Sequence, residues 1–328
     1  MTRTLKIAFM GTPDFAVPSL QALIDGPDTV VGVFTNPDRP AGRGKASTPS
    51  PVKVAAEAAS IPVFQPRSAR GPEFAEALAS LDPDLAVVVA YGRILPQAVL
   101  DIPHLGCVNV HASVLPRLRG AAPINWAIVR GEQEVGVSIM RMEAGLDSGP
   151  VFHIARADLH PGETAGELHD RLMTLGAAAL MTVLDDLRRG EAVAVEQDHA
   201  LMTYAPMMTK ADGQIDWSEP AEAIVRRILG FNPWPGAATT ITRCDNPRLV
   251  GTPLKIHRAS RWPGDPPEGA APGTVLSQGA DEGTLLVAAG QGVVEITQCQ
   301  APGKRALDAL TFLRGSPLPR GTLLGGST

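Results

Sequence analysis

Asn109 and His111 stand two residues apart at the end of an apolar run, Gly106 to His111. In a strand, residues i and i+2 share a face. Both side chains therefore project together, while Val108 and Val110 point the other way. The pair joins an amide able to donate to a developing oxyanion with an imidazole able to move a proton near neutral pH. Asp147 follows within Gly145-Leu146-Asp147-Ser148-Gly149-Pro150. A carboxylate placed beside an imidazole orients it and favours its protonated form. Each residue alone also has a plain reading: a packed asparagine with its hydrogen bonds met, a histidine at a strand end, and an aspartate in a tight turn.

The segment after the pair, SVLPRLRGAAPI (Ser113 to Ile124), holds two prolines, a glycine and two arginines. Such a rigid loop can offer backbone groups to a flat heterocycle, and its arginines can meet phosphate or carboxylate. It reads equally as an ordered helix start with solvated arginines. A second basic loop, Asn36 to Ser50, carries Arg39, Arg43 and Lys45 against Asp38. It is either a solvated loop or a clamp on a phosphate backbone. The first strand ends in Gly11-Thr12-Pro13-Asp14 rather than GxGxxG, so the dinucleotide fingerprint is missing. Gly42-Arg43-Gly44-Lys45 does not meet the spacing of a P-loop.

The elements that must position these residues alternate. Strands are predicted at Leu5–Met10, Thr29–Phe34, Ile61–Phe64, Leu85–Ala90, Gly106–His111 and Val135–Met142. Helices are predicted at Phe15–Ile24 with Asp14 as N-cap, from Ser50-Pro51, at Glu73–Leu81, at Pro123–Arg130 and at Thr164–Arg189. Strands separated by helices imply βαβ units and a mainly parallel, Rossmann-like α/β sheet over residues 1–190. Ligands of such sheets bind beyond the carboxyl ends of the strands, where Asn109 and His111 fall. Residues 191–208 read as an extended linker. Residues 209–315 hold one helical stretch, Pro220–Leu229, and short β-like runs broken by glycine and proline. That pattern fits a small, OB-like β-barrel closed near Thr311–Arg314. Residues 316–328 read as a flexible tail.

The 328 residues suit two domains, and a formal net charge of -5 argues against gripping nucleic acid over a broad surface. Residues 209–328 hold 12 Lys+Arg against 11 Asp+Glu, while residues 1–208 hold 17 against 23. The C-terminal half is thus the less repulsive for RNA. Cys107, Cys244 and Cys299 are far apart and lack CxxC spacing, which points away from a disulfide framework and a zinc site. The chain start does not read as a signal peptide, and no stretch reaches the roughly 18 apolar residues of a membrane span. The expected compartment is the cytoplasm, with no membrane partner, and the expected state a monomer.

Asn109-Val110-His111 with SVLPRLRGAAPI and GLDSG (Gly145 to Gly149) resembles the folate-dependent formyltransferases. Over nearly the whole chain, GTPDFAVPSL (Gly11 to Leu20), NPDRPAGRGK (Asn36 to Lys45), PSPVK (Pro49 to Lys53), VVAYGRILP (Val88 to Pro96), IDW (Ile215 to Trp217), FNPWPG (Phe231 to Gly236) and APGK (Ala301 to Lys304) extend the likeness. The resemblance implies 10-formyltetrahydrofolate as co-substrate, no metal, and the α-amine of methionyl initiator tRNA as acceptor. A sugar-nucleotide amine is the alternative acceptor. It implies Asn109, His111 and Asp147 as the catalytic centre. Ser113, Val114, Leu115 and Pro116 would bind folate, with Val89, Ala90, Tyr91 and Gly92 beside the pterin. Arg39, Arg43 and Lys45 would touch the tRNA, and the C-terminal barrel would bind it too. Ala112 and Pro150 depart from the family pattern, where glycine and an acidic residue are common.

Overall fold

The first parallel strand, β1 (Lys6–Gly11), is buried from Ile7 onward, as an apolar run covered on both faces should be. A computed structural model of the protein describes residues 3–41, 46–277 and 284–325. In chain order, β1 is followed by α1 (Val17–Asp25), β2 (Thr29–Phe34), β3 (Arg39–Ala41), β4 (Ala46–Thr48), α2 (Pro51–Ala58) and β5 (Val63–Phe64). Next come α3 (Pro72–Ser80), β6 (Leu85–Val89), α4 (Gln97–Leu100), β7 (Cys107–His111), β8 (Arg119–Gly120), α5 (Pro123–Arg130), β9 (Glu134–Arg141), β10 (Val151–Asp158) and α6 (Ala165–Arg189). The remaining elements are β11 (Tyr204–Ala205), α7 (Ala221–Gly230), β12 (Ala237–Arg243), β13 (Pro253–Trp262), β14 (Leu285–Ala288), β15 (Val293–Gln300), β16 (Leu307–Asp308), α8 (Ala309–Gly315) and β17 (Leu323–Gly325).

The chain divides into two compact units, Met1–Pro123 with Glu134–Asp158 and His169–Ala205, and Ile124–Gln133 with Leu159–Leu168 and Pro206–Thr328. The two units are interleaved along the chain, because the segments Ile124–Gln133 and Leu159–Leu168 group with the C-terminal one. The first unit is built on a seven-stranded sheet of order β10-β9-β7-β6-β1-β2-β5. Strands β5, β2, β1, β6 and β7 are parallel, whereas β9 runs antiparallel to β7 and to β10. Strand β10 has no counterpart among the predicted elements. Its side chains are mostly half-buried, so its alternation is faint in the sequence. Asp14 lies in a short 3-10 turn, Asp14–Ala16, and its carboxylate accepts from the next amide, Phe15 N, at 3.0 Å. It does not cap α1, whose first turn holds Pro18. Ser50 does cap α2, accepting from Lys53 N at 3.1 Å.

Helix α6 packs behind β7. A Cβ on Gly176 would lie 2.9 Å from the Val110 side chain and 3.4 Å from Val137. That close approach settles which face Val110 takes, and leaves Asn109 and His111 on the other.

The second unit is an antiparallel sheet of order β14-β15-β13-β12-β17, with β16 paired to β15. Bridges Val275↔Val287 and Thr274↔Leu323 join its two edges, so the sheet closes into a small barrel. Its core includes Trp217, Ile224, Ile256, Val287, Phe312 and Leu324. The segment read as a flexible tail corrects that expectation as far as it is described. Leu323–Gly325 pairs with β12, and Leu318 and Leu324 are buried. Buried leucines at these two positions outweigh the glycine and proline around them.

Candidate active site

His111 is the last residue of β7 and only 6% exposed. Its Nε2 lies 3.0 Å from the Leu118 carbonyl. A carbonyl only accepts, so Nε2 carries the proton and donates. Nδ1 is then the ring atom left for chemistry, and it lies 3.7 Å from Asp147 Oδ2. That is too long for a hydrogen bond but close for a charge pair. Asp147 Oδ2 accepts from Gly120 N at 2.8 Å. Asn109, two residues before His111 on the same face, is half-buried between Val88 of β6 and Met140 of β9. Its side-chain amide has no hydrogen-bond partner among the described residues.

The backbone around this trio is unusual. Leu118 (φ 57), Gly120 (φ 119), Asp147 (φ 47) and Ala90 (φ 46) all lie in the left-handed region. Non-glycine residues held there persist only where the surroundings over-determine them, and they cluster at functional sites. At Gly120 the glycine is required twice over, by its φ and because a Cβ would sit 2.6 Å from the Ala205 carbonyl oxygen.

The loop of Ser113, Val114, Leu115 and Pro116 is pinned by Ser138, which lies opposite His111 on β9. The buried Ser138 hydroxyl donates to Ser113 O at 2.7 Å and accepts from Leu115 N at 3.1 Å. Ser113 spends its own hydroxyl on Arg117 O at 2.7 Å. Leu115 is buried, while Val114 and Pro116 are half-buried. Of the four residues expected beside the pterin, Ala90 and Gly92 are exposed, but Val89 and Tyr91 are packed in the core. The Tyr91 carbonyl accepts from Asn36 Nδ2 at 2.9 Å, and burial pushes the phenol up to about 12. The side chains of these two residues therefore belong to the core and are not open to a ligand. Arg39 lies in β3, whereas Arg43 and Lys45 lie outside the described residues.

The segment read as a linker packs against the loops that hold the candidate site residues. Tyr204–Ala205 pairs in parallel with Arg119–Gly120, and Thr203 Oγ1 accepts from Leu118 N at 2.8 Å. Val195 pairs with Val151 just beyond the Asp147 turn. Gln197 reaches both sides. Gln197, Thr203 and Ser138 carry no signal in the sequence, because their partners are distant and none sits in a local pattern.

A histidine, a carboxylate and an amide gathered at the strand ends of an open α/β sheet fit the place and the chemistry of a group-transfer site. The formyl transferase family matches residues 5–184, and its C-terminal domain matches residues 207–317. The chain belongs to the formyl transferase family. It is 48% identical over 319 residues to the methionyl-tRNA formyltransferase of Trichlorobacter lovleyi, covering 97% of this chain and 96% of that one. In fold it is similar to an N-formyltransferase from Helicobacter canadensis solved with folinic acid and dTDP-3-aminofucose. That likeness has TM-score 0.64 and 15% identity, over 89% of this chain and 99% of the other. A variant of HypX from Aquifex aeolicus matches with TM-score 0.61 and 16% identity, and the chain spans about half of that protein, 48%. No helix among the described residues is long and apolar enough to cross a membrane.

Proposed function

We propose that this enzyme transfers the formyl group of 10-formyltetrahydrofolate to the α-amino group of methionyl initiator tRNA, with Asn109, His111 and Asp147 as its catalytic residues. One observation carries the chemistry: a buried imidazole with its Nε2 proton committed to a backbone carbonyl and its Nδ1 facing an anchored carboxylate. The likeness along the whole chain, C-terminal domain included, supports the acceptor.

The acceptor amine, near or below the pKa of roughly 8 of a free α-amine, is largely able to react at neutral pH. As its nitrogen bonds to the formyl carbon, the Asn109 amide donates to the developing oxyanion, a contact worth roughly 3 kcal/mol in comparable sites. His111 Nδ1 takes the proton that the amine sheds. Asp147 balances the imidazolium charge while that proton passes, directly or through water, to N10 of the folate as the carbon–N10 bond breaks. The exposed, small Ala90 and Gly92 beyond β6 fit a flat ring, and Ser138 holds the adjoining loop in one shape. Arg39, Arg43 and Lys45 and the near-neutral barrel domain are the proposed tRNA contacts.

The test is to incubate the protein with 10-formyltetrahydrofolate and, separately, charged initiator Met-tRNA, free methionine and a dTDP-amino sugar. Formylation of the charged tRNA alone is expected. Formylation of the amino sugar instead would overturn the acceptor and leave the donor chemistry standing.

A further inference from the structure

We infer that Gln197 is a positioning residue for catalysis, holding the Asp147 turn against the loop that carries the His111 partner. The inference rests on the proposed role of Asp147. Gln197 lies 50 residues downstream of Asp147 and is 7% exposed. Its Nε2 donates to the Asp147 carbonyl at 2.9 Å and to the Gly149 carbonyl at 2.7 Å. Its Oε1 accepts from Arg119 Nε at 3.1 Å and Arg119 Nη2 at 2.7 Å. All four hydrogen-bonding positions of one side-chain amide are thus used.

The orientation of that amide is forced. A guanidinium has donors only, so the Arg119 side must receive the amide oxygen. The amino group is then turned onto the two carbonyls. Arg119 itself is 6% exposed, and its Nη2 also reaches His199 Nδ1 at 3.0 Å. The result is a clip between two loops. On one side is the backbone of Asp147, fixed in its left-handed conformation. On the other are Leu118, Arg119 and Gly120, which supply the acceptor for His111 and the donor for Asp147. Without the clip, the 3.7 Å approach of carboxylate to imidazole rests on the single Gly120 contact.

Gln197→Glu tests this with nearly constant shape. The new carboxylate keeps and strengthens the Arg119 pairing, but sets an oxygen against two carbonyl oxygens. We expect the variant to fold, kcat to fall on the order of 10²-fold through misplacement of Asp147, and KM for both substrates to stay within about threefold. Gln197→Met, which removes the donors without repulsion, is the second variant and should show the same split more weakly. The deciding measurement is the double-mutant cycle with Asp147→Asn. If Gln197 acts through Asp147, Gln197→Glu costs little further activity once Asp147 is an amide. Losses that multiply would mean a general structural role and overturn the inference. So would a Gln197→Glu enzyme, or a Gln197→Met enzyme where the first does not fold, of wild-type kcat. Should Asp147→Asn itself keep wild-type kcat, the proposed trio fails instead, which separates the two failures.

Discussion

Replacing Asp147 by Asn removes one charge and almost no volume. The Asn carbonyl oxygen can still accept from Gly120 N, so the turn should keep its conformation. What disappears is the carboxylate 3.7 Å from His111 Nδ1, in a site where the two side chains are 15% and 6% exposed. Coulomb's law at that separation with an effective dielectric of about 20 gives roughly 4 kcal/mol between carboxylate and imidazolium. Solvent reaching the part-exposed carboxylate cuts this to about 2–4 kcal/mol. The penalty falls on the state in which His111 carries the proton being transferred, through which the proposed reaction passes. Turnover should therefore drop roughly 30- to 1,000-fold. The assay is initial-rate formylation of charged initiator tRNA across a range of folate concentrations. Folate KM should move by no more than about threefold. A kcat within fivefold of wild type would refute the charge-balancing role. A rise in folate KM with kcat preserved would reassign Asp147 to binding.

Ser138→Ala should weaken folate binding more than turnover and lower stability by about 2–4 kcal/mol, because a buried donor and a buried acceptor lose their partner. Equilibrium binding with denaturant unfolding would show this, and unchanged values of both would contradict it. Leu324→Ala should cost about 2–5 kcal/mol, since this residue is 1% exposed in the barrel core; a melting curve like that of wild type would mean β17 contributes little. Alkaline pH offers a linked test. Burial raises Cys107, Cys299 and Tyr91 to about 12 in the folded protein. The unfolded groups lose their protons near their ordinary values, so the native state binds more protons above about pH 9. Stability should be full below that pH and decline from about 9 to 12, by at most roughly 1.4 kcal/mol per unit for each group. Denaturant midpoints that stay level to pH 10.5 would oppose the assignment.

Much of the candidate site's geometry was legible because it is written in local pattern. The i, i+2 alternation at the end of an apolar run put Asn109 and His111 on one face, and the face is observed: Val110 meets Gly176 of α6 on the opposite side. The order of strands and helices implied the parallel sheet, and parallel sheets carry ligands at their strand ends. The dense turns of residues 209–315 implied a small barrel, and the barrel closes through Thr274 and Val275.

The tertiary structure alone decided which distant groups complete the site. Hydrophobic periodicity reports burial along one element, and it is blind to a polar side chain whose partners lie 50 or 80 residues away. Gln197 and Thr203 sit in a stretch with no helical or strand period, so it read as linker; their meaning comes from Asp147, Gly149, Arg119 and Leu118. Strand β10 and the terminal strand β17 were missed for the related reason that an edge or closing strand is half-covered or short. Even the protonation geometry of His111 belongs to the fold. The residue type says that a proton can move, but only the Leu118 carbonyl, turned inward by a left-handed backbone, settles which ring nitrogen is left to move it.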